Sequence, residues 1–277
     1  MILDALLDAV WDTLRIFPFL FAAFWALEAI EHYSNRYINQ ILTKVGKAGP
    51  LAGAVLGCIP QCGFSAAAAN LYSGGLITLG TLLSVFLSTS DEAVLILLAH
   101  PGYGKTIAAL LLWKVMIGII TGFLIDILLR KQKRESHIEE MCKTCGCSNS
   151  SGIFRPALIH TVRLSIYLFL FTFCLNLIFE LVGVEQLARI LGKDTLFQPF
   201  LAAILGMIPN CAASVLITEL YLAGSLSFGA AIAGLCAGAG VGMAVLFRSN
   251  PSLRENLKIL LLLYGSAVIA GFIAGGI

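Results

Sequence analysis

Two short stretches of the sequence combine residues that interrupt a helix with residues that can hold a metal ion. Residues 57–65 read GCIPQCGFS, and residues 206–214 read GMIPNCAAS. In each stretch, proline removes a backbone donor and breaks the helix, which frees backbone carbonyls beside an amide side chain and a thiol. Amide and carbonyl oxygens suit hard cations, whereas thiolates suit soft metals and trivalent arsenic. The two stretches therefore predict a site for a metal or metalloid.

The candidate ligands in and after these stretches are amide, thiol and carboxylate side chains. They are Cys58, Gln61, Cys62, Asn70, Asn210, Cys211 and Glu219, and the helix-breaking tips are Pro60 and Pro209. Taken alone, either stretch could be a kinked helix in which cysteine is a small packing residue. Two copies of the pattern favour a binding site.

A pair of adjacent carboxylates, Asp91 and Glu92, lies deep in the apolar segment 76–99. Charged groups at such depth are costly and normally face a pathway or the interior of a helix bundle. We therefore predict that they bind a cation or carry a proton, the alternative being a break in the segment near the headgroups. Lys114 is the only basic residue well inside an apolar segment, and an intramembrane acid is its expected partner.

A polar loop holds a second candidate metal site. Its ligands would be His137, Cys142, Cys145 and Cys147. A Cys-x-x-Cys-x-Cys pattern with a nearby histidine can bind zinc, copper or a similar soft ion. The alternative is a reduced, flexible linker. If the loop binds metal, it could collect or sense the ion ahead of a pore.

The composition indicates that membrane helices position these residues. Of the 277 residues, 58% are hydrophobic and 12% are charged, against about 25% charged in soluble domains. Apolar runs of about 17–25 residues are typical of membrane spans. The clear runs are 14–30, 76–99, 106–129, 160–182 and 259–275. Too little chain remains for a soluble domain, so the predicted fold class is an all-α polytopic membrane protein.

The chain is an internal duplication. A shift of 149 residues places Gly57 on Gly206, Pro60 on Pro209 and Cys62 on Cys211, and the match continues for more than 200 residues without a gap. We therefore divide the chain into a first membrane repeat at 1–130, a Cys/His loop at 131–156 and a second membrane repeat at 157–277. These repeats are called the first and second halves below.

The distribution of basic residues indicates whether segments 48–73 and 196–222 cross the membrane or enter and leave it on one side. If both segments enter and leave the membrane on one side, twelve Lys and Arg residues fall on one face and three on the other. If both segments cross, the best division is nine to six. The positive-inside rule favours re-entrant hairpins. Each half then has three spans plus one hairpin. Because three is an odd number, the second half is inverted relative to the first, and the two hairpin tips meet near the midplane. The Cys/His loop lies on the basic side, which is the cytoplasmic one.

The sequence resembles a bacterial family of predicted heavy-metal exporters, which are related to arsenic efflux permeases and are also described as manganese transporters. The resemblance rests on GCIPQCGFSAAAANLYSGG, LSTSDEA, GMIPNCAASVLITELYLAGSLSFG and the HxxxxCxxCxC loop, and it covers nearly the whole chain. It implies an exporter in the cell inner membrane with about ten hydrophobic segments. Six spans and two two-armed hairpins would account for that number.

Two classes of substrate stay open, a metal species and a small organic anion. The oxygen-rich set around Asp91 suits manganese or a similar divalent ion, the thiols suit arsenite or an organoarsenical, and helix N-termini at hairpin tips suit an anion. The cost of keeping acids in a membrane slightly favours the divalent cation. We expect a secondary-active transporter, not an enzyme, because no nucleotide-binding motif is present and the histidines outside the Cys/His loop lie at span ends.

Partners and cofactors follow from this interpretation. We expect the lipid bilayer and the metal substrate as partners, no nucleic acid, and no cofactor other than a soft metal on the Cys/His loop. A homodimer is compatible with the sequence.

Overall fold

The computed structural model describes residues 48–59, 62–90, 92–100, 102–129, 154–182 and 197–276, together with scattered positions between residues 6 and 25. For Cys62, Glu92 and Cys211, the backbone is described and the side chain is not. Within the described residues, all regular secondary structure is helical. This part of the chain confirms the prediction of an all-α protein.

The helices with described bounds are numbered here in chain order. They are α1 (Ala48–Gly57), α2 (Cys62–Ser73), α3 (Leu79–Ser88), α4 (Glu92–Ala99), α5 (Gly104–Leu128), α6 (Phe154–Val182), α7 (Gln198–Gly206), α8 (Cys211–Leu222), α9 (Phe228–Ala237), α10 (Val241–Ser249) and α11 (Leu253–Gly275).

Four of the described segments are long and apolar enough to cross a membrane. Two of them, Gly104–Leu128 and Leu253–Gly275, are the continuous helices α5 and α11. The other two, Leu79–Ala99 and Phe228–Ser249, each consist of two short helices in succession, α3 then α4 and α9 then α10. The protein is therefore a multi-pass membrane protein with two broken spans.

The helix bounds recur at one interval along the chain. Helices α2 and α8 begin at Cys62 and Cys211, which are 149 residues apart. The same interval separates the first residues of α3 and α9, of α4 and α10, and of α5 and α11. The sequence shift that aligns the two motifs thus also aligns these helices, including the position at which each broken span is interrupted.

Glycines let the helices of each half approach closely. A Cβ added at Gly122 of α5 would lie 2.8 Å from the carbonyl oxygen of Gly80 in α3, and one at Gly271 of α11 would lie 2.6 Å from the carbonyl oxygen of Gly229 in α9. Small residues at such crossings allow backbone-to-backbone packing, which is the main source of helix association in lipid. The equivalent pair of helices is therefore packed in the same way in both halves.

A carboxylate from α5 holds the beginning of α3. Asp126 accepts a hydrogen bond of 2.7 Å from the Thr78 hydroxyl and one of 2.9 Å from the backbone N–H of Gly80. Thr78 is the N-cap of α3, and its hydroxyl also accepts a hydrogen bond from the N–H of Thr81. A negative charge is favourable at a helix N-terminus, where backbone donors lack intrahelical partners.

Each broken span has a short helix running alongside it. In the first half, the Ser84 hydroxyl of α3 donates to the Pro50 carbonyl near the beginning of α1, and the Ser90 N–H donates to the carbonyl of Gly57 at its end. In the second half, the Gln198 amide at the start of α7 bonds the backbone of Ser225 and Ser227, just before α9. Helix α1 therefore runs parallel to α3.

The two halves are joined by reciprocal contacts. Helix α2 of the first half packs on α10 of the second, and α8 of the second half packs on α4 of the first. Along the α2–α10 contact, Gly242 lies against Ser65 and the Ser249 hydroxyl donates to the Asn70 side-chain oxygen at 2.9 Å. From the first of these contacts to the second, the residue numbers increase in both helices, so α2 and α10 are parallel.

Candidate functional site

A buried lysine ties the two broken spans together. Lys114 lies in the middle of α5 and is 1% exposed. Its ammonium donates one hydrogen bond to the carbonyl oxygen of Thr89, directly after α3, and another of 2.7 Å to the carbonyl oxygen of Leu235 near the end of α9. Carbonyls at helix C-termini carry partial negative charge. One side chain of the first half therefore stabilises helix ends from both halves.

A small cavity lies beside this ammonium. Its volume is about 10 Å³, close to the space that one water molecule needs. The first half contributes Thr89 and Lys114 to the lining. The second half contributes Gly206, Asn210, Ser214, Ile217, Gly234, Leu235, Gly238 and Gly240. Most of the described lining residues thus belong to the second half, and the first half supplies a cationic side chain.

The second proline motif forms one wall of the cavity. Helix α7 ends at Gly206, and α8 begins at Cys211. Asn210 is the N-cap of α8, and its side-chain oxygen accepts a hydrogen bond of 3.3 Å from the N–H of Ala212. Ser214 follows one turn later and also lines the cavity. An amide, a hydroxyl and a helix N-terminus therefore face the same small space.

The break between α9 and α10 also lines the cavity, through Gly238 and Gly240. Gly240 has φ 51° and ψ −146°, a conformation that side chains other than hydrogen rarely permit. Gly238 has an ordinary negative φ of −73°, and a Cβ added there would have its nearest neighbour at 3.5 Å. The position that corresponds to Gly240 in the first half is Asp91, which lies outside the described residues.

Among the predicted ligands, the described structure places one at the cavity. Asn210 lines it, and Pro209 lies in the turn that leads to it. Cys58 is half-buried at the end of α1. Asn70 is buried in α2, where it accepts the hydrogen bond from Ser249. Glu219 is exposed on α8, so the structure does not bring it to the cavity.

Several predicted site residues lie outside the described part of the chain. They are Pro60, Gln61, Asp91, His137, Cys142, Cys145 and Cys147. The side chains of Cys62, Glu92 and Cys211 are likewise not described, although their backbone positions are. Within the described residues, no group of three or more His, Cys, Asp or Glu side chains is placed to hold a metal ion.

Sequence reasoning missed the position of Lys114 between the two halves. A lone basic residue inside an apolar run predicts a buried partner. The acid expected as that partner stays a prediction, because Asp91 and the Glu92 side chain lie outside the described residues. The carbonyls of Thr89 and Leu235 could not be identified from sequence as acceptors for Lys114, because helix ends acquire free carbonyls only where the spans break. Thr89 and Gly238, which both line the cavity, were not among the predicted ligands. They are equivalent positions of the two halves, 149 residues apart.

Comparison with known protein families identifies a match along the chain. A family model described as "Putative, 10TM heavy-metal exporter" matches residues 1–175 and 160–277, and the two matches together span the whole chain. This finding confirms the family resemblance on which the sequence analysis relied. No curated protein and no solved structure matches the chain.

Proposed function

The chain belongs to this family of heavy-metal exporters with ten transmembrane segments, and from that membership we propose a secondary-active transporter that moves a metal or metalloid species through the cavity at Lys114. One observation carries the proposal. Lys114 of the first half binds the ends of broken helices from both halves, and the cavity lies at that point. Secondary transporters bind substrates where broken spans of two repeats meet.

The contacts of α1 and α2 support a re-entrant hairpin in the first half. Helix α1 begins beside the start of α3 and ends beside its end. Helix α2 then returns, because it ends at Ser73 and a short turn leads directly into α3 at Leu79. A segment that starts and finishes beside the same end of a span enters and leaves on one face. The helices α7 and α8 have the same relation to α9.

The contact between α2 and α10 supports an inverted second half. Because α2 returns along α3, the two helices run in opposite directions. Helix α10 runs parallel to α2, and it continues the span that begins with α9. The span Phe228–Ser249 therefore runs opposite to Leu79–Ala99. Inverted repeats allow one half to rock against the other and to expose a central site to each face in turn.

The described lining favours a neutral, hydroxylated metalloid such as arsenite as substrate. Its polar side chains are an ammonium, an amide and hydroxyls, all of which can hydrogen-bond As–OH groups. A neutral hydroxylated species is therefore the first candidate substrate, although the sequence slightly favoured manganese.

A divalent cation such as manganese is the second candidate, and the carboxylates Asp91 and Glu92 favour it. Asp91 lies two residues beyond Thr89, which lines the cavity. Two carboxylates would outweigh one ammonium and leave a net negative site. A carboxylate paired with Lys114 would, however, attract a cation less strongly, because the ammonium offsets part of its negative charge.

The direction and energy source of transport rest on the family and the sequence. Export follows from the family description. No nucleotide-binding motif occurs in the sequence, so an ion gradient or the membrane potential is the proposed energy source, with Asp91 or Glu92 as proton carrier. The cell inner membrane is the proposed location.

Flux through reconstituted liposomes tests the proposal. Arsenite and manganese movement would be measured separately under a proton gradient for wild type, Gly238→Ala and Gly265→Ala. The methyl group at 238 fits without a clash, and it narrows a cavity with room for about one water. We expect Gly238→Ala to reduce flux strongly. Gly265→Ala is the matched control, because no atom lies within 4 Å of a Cβ added there.

The two candidate substrates give different results in the same experiment. Arsenite flux that falls in Gly238→Ala but not in Gly265→Ala supports the metalloid. Manganese flux that is lost in Asp91→Asn, with the variant still folded, supports the divalent cation. If neither species moves in wild-type liposomes, both proposed substrates are wrong.

A further inference from the structure

A cluster of polar side chains joins the two halves at one end of the molecule, away from the cavity. The Tyr72 hydroxyl at the end of α2 donates a hydrogen bond to the carboxylate of Glu255 in the first turn of α11. The Ser249 hydroxyl at the end of α10 donates to the Asn70 side-chain oxygen at 2.9 Å. Both hydrogen bonds cross from the first half to the second. With Asn250 and Asn256, these residues are called the Tyr72 cluster.

The second half holds its part of the Tyr72 cluster in place. The Asn250 amide donates to Glu255 at 3.3 Å and to the Asn256 side-chain oxygen at 2.7 Å. The Asn256 amide donates back to the Asn250 carbonyl at 3.1 Å. Asn250 and Asn256 are both buried. The Glu255 carboxylate is therefore fixed where the Tyr72 hydroxyl reaches it, and hydrogen bonds to a charged acceptor are stronger than neutral ones.

The equivalent positions of the other half lack this chemistry. The counterpart of Tyr72 is Tyr221, whose ring packs against Phe228 at 6.1 Å between centroids. The counterpart of Glu255 is Thr106, which has no carboxylate. An acceptor of this kind is thus present at one end of the molecule and missing from the corresponding position at the other. This asymmetry is not required for packing, because the two halves pack their glycine-rich helices alike.

In the Tyr72 cluster, one buried hydrogen-bond donor has no partner among the described residues. Asn70 is 2% exposed, and its side-chain nitrogen has no hydrogen-bond partner within the described residues. A buried donor without a partner costs free energy that water would recover if the contact opened. The Tyr72 cluster therefore combines a strong hydrogen bond that favours closure with a penalty that favours opening. Such a balance keeps two states close in free energy, as a reversible transition requires.

We propose that the Tyr72 cluster is the gate that closes the cavity toward the face carrying the α10–α11 loop. Three exposed basic residues, Arg248, Arg254 and Lys258, flank that loop, so the positive-inside rule places it in the cytoplasm. Tyr72 and Glu255 separate when the gate opens, because α2 and α11 belong to different halves. This inference rests on the proposed function, in which the two halves move relative to each other.

The test measures access to the cavity and needs no substrate. A reporter cysteine replaces Ser214, which lines the cavity, in the full-length chain. Inside-out and right-side-out membrane vesicles are treated with a membrane-impermeant thiol reagent, and mass spectrometry of the peptide around position 214 gives its labelling rate separately from the native cysteines. The rates are compared with and without Tyr72→Phe, which removes only the hydroxyl. Tyr221→Phe is the matched control from the other half.

We expect Tyr72→Phe to raise the labelling rate from the cytoplasmic side by about ten-fold. Loss of a hydrogen bond to a charged group changes the ratio of open to closed states by about this factor. Tyr221→Phe should leave it unchanged. Glu255→Gln combined with Tyr72→Phe should label no faster than Tyr72→Phe alone, because both changes remove the same contact. A cytoplasmic rate in Tyr72→Phe equal to wild type, or an equal increase in Tyr221→Phe, would overturn the gate.

The result is independent of the flux experiments. If labelling increases as expected but neither arsenite nor manganese moves in liposomes, the gate stands and the proposed substrates fail. If flux is found and labelling does not change, the transporter stands and the assignment of its gate fails.

Discussion

The Lys114 ammonium donates a hydrogen bond of 2.7 Å to the carbonyl oxygen of Leu235, which joins α5 of the first half to the broken span of the second. A hydrogen bond from the same ammonium to the Thr89 carbonyl joins α5 to the broken span of its own half. A buried charge needs such acceptors, since an unpaired ammonium in an apolar interior is costly. Both interruptions in the helices are thereby held beside the same cavity.

Replacing Lys114 by methionine should reduce flux by at least about ten-fold. The change keeps a long apolar side chain but removes both hydrogen bonds, each worth about 1.5–3 kcal/mol when one partner is charged, and a loss of about 1.4 kcal/mol corresponds to a factor of ten. The helix ends at Thr89 and Leu235 then lose their shared donor. Flux in liposomes, normalised to protein that elutes as a single species in size-exclusion chromatography, measures the effect.

The matched control for this variant is Leu263→Met. Leu263 is the equivalent position of α11 and is fully buried, and a leucine-to-methionine change in a core costs less than about 1.5 kcal/mol. We expect near-normal flux. Normal flux in Lys114→Met would show instead that the bridge between the halves is dispensable.

Replacing Gly206 by alanine should destabilise the fold. An added Cβ would collide with the backbone carbonyl of Gly234, and overpacking of this kind costs about 1–3 kcal/mol. Thermal unfolding in detergent should therefore shift to lower temperature. Gly265→Ala serves as the comparison, because its Cβ would meet open space and alanine favours a helix over glycine by up to about 1 kcal/mol. Equal melting temperatures for the two variants would contradict the close packing of α7 on α9.

Replacing Asp126 by alanine should lower stability by about 0.5–2 kcal/mol, the range measured for lost helix caps. The carboxylate accepts from the Thr78 hydroxyl and the Gly80 N–H, and both donors lose this acceptor. The free energy of unfolding in detergent provides the measurement. Ile127→Ala, at a neighbouring exposed position, should change stability less. A larger effect in the control would argue that the cap has no energetic role.

Much of the architecture could be predicted from sequence because membrane helices have strong signals. The apolar runs 76–99, 106–129 and 259–275 correspond to helical segments of the structure, since every backbone polar group in lipid must be satisfied within a helix. The motif at 206–214 also predicted where α7 ends and α8 begins, because proline cannot continue a helix. The inverted repeat and the re-entrant hairpins remain proposals supported by helix directions.

Side-chain roles were harder to predict, because they depend on neighbours that are distant in sequence. Asn210 and Glu219 were both predicted as ligands, and the structure places one at the cavity and the other on an exposed side of α8. Nothing in the sequence marked Asp126 as a helix cap. Its role as a cap arises because Gly80 and Gly122 bring α3 and α5 close enough for the carboxylate to reach Thr78 and the start of α3.

The sequence by itself determined that the chain is helical, that it crosses a membrane several times, that it is duplicated at an interval of 149 residues, and that it resembles metal exporters. These properties follow from hydrophobicity and local backbone preference, which act along the chain. Only the tertiary structure decided that Lys114 joins both halves and that Tyr72 meets Glu255. Such contacts depend on where two interrupted helices end in space, and helix packing sets those positions.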